Sequence, residues 1–139
     1  MNMEVLPIPP LLLELAYVAL KRGDFAAAQL LLQAARELRP QDPAPLFLLG
    51  LWHIARRDPA SAEHSWRSLL ERHPTYDIAR VFLAESLLAR HRPLEAEVLL
   101  QEVIEADRCG EAVLFARKLL EGIRRGVFQP HRMSTSQGG

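Results

Sequence analysis

A spacing that returns every 34 residues constrains this chain more than any other feature. Ala28, Ala62 and Ala96 are 34 apart, and so are Pro40 and Pro74. Each alanine follows a similar set of positions: Leu12, Leu15, Ala16 and Ala19 in the first copy, Leu46, Leu49, Gly50 and His53 in the second, Arg80, Leu83, Ala84 and Leu87 in the third. A large residue stands four positions after it, Leu32, Trp66 or Leu100, and then Ala35, Leu69 or Val103. Steps of three and four put each set on one stripe of an α-helix, so a period holds two amphipathic helices. One such pair cannot bury its own apolar face and must stack on its copies. Of the positions in this pattern, only His53 and Arg80 are neither apolar nor glycine.

Helix boundaries follow from the residues between the stripes. Pro7-Ile8-Pro9-Pro10 holds the backbone extended over residues 1–8 and lets a helix begin at Pro10 or its neighbour, to run to about Arg22. Gly23 stops that helix, and Asp24 caps a second from Phe25 to about Leu38. Asp42-Pro43 and Asp58-Pro59 each place a capping carboxylate before a proline in the first turn. Thr75 is the expected cap of the fifth helix, and Pro93 opens the sixth. Gly50 marks the closest approach of two helices, and Trp66 belongs to the core. Trp52 points elsewhere, to pack between repeats or to lie at an interface.

These positions resemble the helix-turn-helix template of a tetratricopeptide repeat. The resemblance implies an all-α fold: an α-solenoid of three repeats, 9–42, 43–76 and 77–110, in a single domain spanning 9–125. Glu111 to about Arg125 carries Ala112, Ala116, Leu119 and Ile123 at helical spacing, an amphipathic helix suited to capping the stack. Residues 126–139 lack any apolar period and are expected to be a disordered tail. The third copy departs from the template at Arg80 and at Arg108, which stands where a proline would close the repeat.

Composition removes several classes of function. The 139-residue chain has 17 basic and 17 acidic side chains, so it lacks the electrostatic footprint of a nucleic-acid binder. There is no Gly-rich phosphate loop, no His-Glu-x-x-His helix and no pair of cysteines, so no cofactor, metal or catalytic site is expected. His53, His64, His73, His91 and His131 lack the spacing of a metal face, and His53 is expected as a hydrogen-bonded core imidazole. The single Cys109 fits a reducing, cytoplasmic location, and no apolar run reaches membrane-spanning length.

The resemblance also implies a concave groove lined by the first helix of each repeat. Carried onto this chain, its lining is Leu13, Glu14, Tyr17, Leu20 and Lys21; Phe47, Leu48, Leu51, Ile54 and Ala55; Val81, Phe82, Glu85, Leu88 and Ala89. All but Glu14, Lys21 and Glu85 are apolar, and an exposed apolar surface of that extent marks a binding site. The family's carboxylate clamp needs Lys and Asn at several of these positions, where Leu13, Tyr17, Leu48 and Phe82 stand; a carboxylate there would be desolvated without partners. The composition instead suits an amphipathic helix or an extended apolar peptide of another protein. The chain's own Val5-Leu6-Pro7-Ile8 is a competing occupant, and some lining positions could pack between helices. A narrower resemblance, to the small chaperones of bacterial type III secretion, implies a chaperone that holds a secretion-apparatus subunit until export. The alternative is an assembly adaptor bridging components of a larger complex, as a monomer or homodimer.

Overall fold

The computed structural model describes residues 8–128. Among these residues seven helices follow one another, α1 (Ile8–Lys21), α2 (Phe25–Leu38), α3 (Ala44–Ala55), α4 (Pro59–Arg72), α5 (Asp77–Ala89), α6 (Pro93–Ala106) and α7 (Gly110–Arg124). The first six form three antiparallel hairpins, and no strand occurs among the described residues. The fold class is therefore the expected one. The chain divides between His73 and Pro74 into two compact units, α1 to α4 and α5 to α7.

The 34-residue period extends to the turns. Gly23, Arg57 and His91, one period apart, all adopt left-handed backbone at φ 78°, 62° and 60°. Each donates its N–H to the carbonyl three residues back (Leu20, Ile54, Leu88), and the next residue donates to the one five back (Ala19, His53, Leu87). This is the Schellman closure of a helix C-terminus. The next residue then serves as N-cap of the following helix, which makes the turn as short as it can be. Asp24 accepts from the Ala27 N–H and Asp58 from the Ser61 N–H, both at 3.2 Å. At the third turn Arg92 has no capping oxygen, and its guanidinium grips Glu95 through two bonds of 2.8 and 2.7 Å instead.

In the first unit, α2 buries Ala28, Leu32 and Ala35, and α4 buries Ala62, Trp66 and Leu69. Gly50 is where α3 and α4 come closest: a Cβ there would lie 2.1 Å from Trp66 Nε1. That indole nitrogen donates to the Phe47 carbonyl at 3.0 Å, and the Phe47 and Trp66 rings stack at 6.3 Å. Trp52 is buried and donates to the Phe25 carbonyl at 2.9 Å, so it joins α3 to α2, packing between the repeats. Pro43, expected as the first residue of α3, stands at its N-cap instead, and Asp42 before it accepts from the Ala44 N–H at 3.0 Å.

In the second unit, α5 buries eight of its 13 residues, packed by both α6 and α7. Tyr76, not Thr75, stands at its N-cap, with no side-chain capping bond. The two departures from the template meet here on one carboxylate. Asp77 is buried, and Arg108 binds it through two bonds of 3.0 and 2.9 Å while Arg80 adds a third of 3.0 Å. Arg80 also reaches the Pro74 carbonyl and lies 3.4 Å from Glu102. Arg108 thus replaces the closing proline by an ionic clamp from the end of α6 to the start of α5.

At its far end α7 closes on Gly126, at φ 76°, with the Val127 N–H bonded to the Gly122 carbonyl. Phe128 lies against Gly122, where a Cβ would be 2.6 Å from its ring. Residues 126–128, expected in the tail, therefore finish the helix. The rest of the expected tail, 129–139, and the N-terminal residues 1–7 lie outside the described residues, whereas Ile8 already belongs to α1.

Candidate partner-binding surface

The expected lining residues fall into three groups. Tyr17 on α1 and Ile54 on α3 are open to solvent, at 44% and 37% of their full area. The Lys21 ammonium lies 5.5 Å from the centre of the Tyr17 ring, a cation–π contact that leaves the ring's other surface available. Glu14, Lys21 and Ala55 are exposed as well.

A second group is half-buried. Leu13, Leu20 and Leu48 pack against the buried cluster of Ala16, Ala28, Leu32 and Trp52, so each serves the core with part of its surface. Leu51 is half-buried, and Phe47 is turned onto Trp66. Phe82 in the second unit is half-buried too, its ring edge-on to Phe115 of α7 at 6.1 Å.

The third group corrects the sequence reading. Val81 and Leu88 are 0% and 3% exposed and cannot line an open surface. The reason is that α5 has neighbours on more than one side, so residues that the repeat template leaves open are covered. Glu85 on the same helix keeps an exposed position by area, yet desolvation by its surroundings pushes its carboxyl above the usual range.

One exposed apolar stripe escaped the sequence reading. Leu11, Leu15 and Val18 are 45 to 51% exposed at i, i+4 and i+7 of α1. Leu15 was expected in the core, but α1 belongs to the first repeat. Among the described residues no helix precedes α1 to cover the side that the template would bury. That signal was available from its place in the order of repeats.

His53 is half-buried and touches the Trp52 ring edge-on at 5.1 Å. Desolvation lowers its pKa, opposed by the nearby Asp58 carboxylate and reinforced by Arg56, so its neutral form is favoured. No group of three or more metal-ligating side chains gathers among the described residues, and Cys109 is exposed. None of the described helices is long and apolar enough to cross a membrane.

Comparison with known proteins agrees with this geometry. No curated protein matches the chain in sequence. Among solved structures, that of the Yersinia enterocolitica type III secretion translocator chaperone SycD, described as an alternative dimer, is similar at 25% identity and a TM-score of 0.70. The match covers 88% of this chain and 96% of that one. The model of the tetratricopeptide repeat matches residues 13–62 and 47–109, which takes in all three hairpins. Hairpins of this period, closed by the same turn three times over, and a family match across most of their length lead to one conclusion: the chain belongs to the tetratricopeptide repeat family.

Proposed function

We propose that this protein is a cytoplasmic chaperone that holds an apolar segment, an amphipathic helix or extended peptide, of a secretion-apparatus subunit. The observation that carries the reading is that two apolar side chains of the expected lining, Tyr17 on α1 and Ile54 on α3, are open to solvent, with half-buried Leu13 and Leu20 one turn from Tyr17 and half-buried Leu51 one turn from Ile54. Open anchors beside half-buried neighbours suit a guest whose side chains insert at helical or alternate spacing. The likeness to a translocator chaperone over nearly the whole of both chains supports the kind of guest. Holding such a segment would keep it from aggregating or polymerising before export.

The test is co-purification from the native cell, identification of the bound chain by mass spectrometry, and reconstitution with Tyr17→Glu/Ile54→Glu. Both side chains are exposed, so the double variant keeps its helical circular dichroism. Leu48 is a poorer choice, because it also packs against the core. Capture of the identified subunit is expected to be lost; retention at wild-type strength would remove these residues from the site.

A further inference from the structure

The side of α3 turned away from Ile54 carries a second concavity. Leu49, Trp52 and His53 lie about half a helical turn around from Leu51 and Ile54 at 3.6 residues per turn. They contribute to an open cleft of about 620 Å³ within the first unit, bordered by α2 and the end of α4. Its floor is apolar, built from Leu32, Leu49 and Trp52, and its border is polar.

Two features of that border point to a ligand chemistry. Arg36 in the last turn of α2 and Arg72 in the last turn of α4 both line the cleft. Neither arginine takes part in an ion pair among the described residues, whereas Arg67, Arg80, Arg92, Arg108 and Arg125 all do. Gln29 and Gln33, one turn apart on α2, add amide donors and acceptors along the same border, the pattern that serves an extended peptide backbone. With His53 neutral, Glu37 is the only lining carboxylate against two guanidinium groups, so the cleft has a net positive charge.

We propose that this cleft is a second binding site, which takes an extended peptide segment bearing an acidic side chain. The carboxylate would meet Arg36 and Arg72, each able to offer paired N–H donors. An adjoining apolar side chain would rest on the half-buried Leu49, above the buried Leu32 and Trp52. This site is separate from the Tyr17 and Ile54 surface, so the protein would engage two segments at once, and either site can fail without the other.

Trp52 lines the cleft and Trp66 does not, which gives a built-in pair of probes. The experiment titrates the full-length protein with acetyl-Leu-Glu-Glu-Leu-amide or acetyl-Leu-Gln-Gln-Leu-amide and follows both indole N–H resonances by NMR. Expected is a saturable shift of the Trp52 resonance with the glutamate peptide, a still Trp66 resonance, and roughly tenfold weaker binding of the glutamine peptide. Arg36→Gln/Arg72→Gln should bring the glutamate peptide down to the glutamine level. No saturable shift at Trp52, equal affinity for both peptides, or undiminished binding by the double variant would overturn the proposal. Should that variant lose its helical circular dichroism, the two peptides on the native protein decide alone.

Discussion

At the scale of single residues, the first unit depends on one contact between the smallest and the largest side chain. Trp66 fills the space that Gly50 leaves, and its indole N–H is satisfied by Phe47. Gly50→Ala forces the indole out of that seat, and urea denaturation should report a loss of about 1 to 3 kcal/mol. Arg57 poses the opposite case, because an L-residue is held in the left-handed region that Gly23 occupies one period earlier. Arg57→Gly should stabilise the protein by roughly 0.5 to 1 kcal/mol, the left-handed penalty less the added freedom of the unfolded chain. His53 adds a pH dependence. Its folded pKa lies below its unfolded one, so the unfolded chain binds the proton more readily. Its contribution to stability is complete above the unfolded value, roughly 6.5, and is lost as pH falls from there through the folded value. Denaturation midpoints across that window should fall less steeply in His53→Asn than in the native protein.

At the scale of elements, the hairpins were legible because the second helix of each repeat is buried by its fixed triplet of small and large residues. Those triplets recur at the repeat period whichever neighbour covers them, Ala28 and Leu32 reaching Trp52 of the next hairpin, so sequence spacing alone locates them. First helices depend on neighbours that spacing does not specify. Leu15 and Val81 illustrate the two failures: one sits on the first of the described helices and is exposed, the other on a helix packed by two neighbours and is buried. The third repeat gave a different difficulty. Arg80 and Arg108 looked like separate losses of the template, whereas Asp77, three residues before Arg80, makes them parts of one clamp. Asp77→Ala removes the acceptor that joins the start of α5 to the end of α6, and should cost roughly 1 to 3 kcal/mol in denaturation. Since Asp77 is buried, added salt should recover little of that difference.

At the scale of the molecule, repeat spacing reveals what kind of chain this is more clearly than where it binds. The large apolar side chains of the expected lining that stay open are Tyr17 and Ile54, on the first helices of the first two repeats. Positions such as Leu48 divide their surface between the core and the outside, which no count of residue types can apportion. Site-specific photo-crosslinking in the native cell separates a binding surface from mere exposed grease. Leu30 provides the control, an apolar side chain on α2 at 69% exposure and outside the proposed site. With p-benzoylphenylalanine in place of Ile54, the account expects an adduct to an apolar or amphipathic segment of one other protein, and none to it from position 30. An adduct to that segment from position 30 but not from position 54, or no adduct to another protein from position 54, would contradict it.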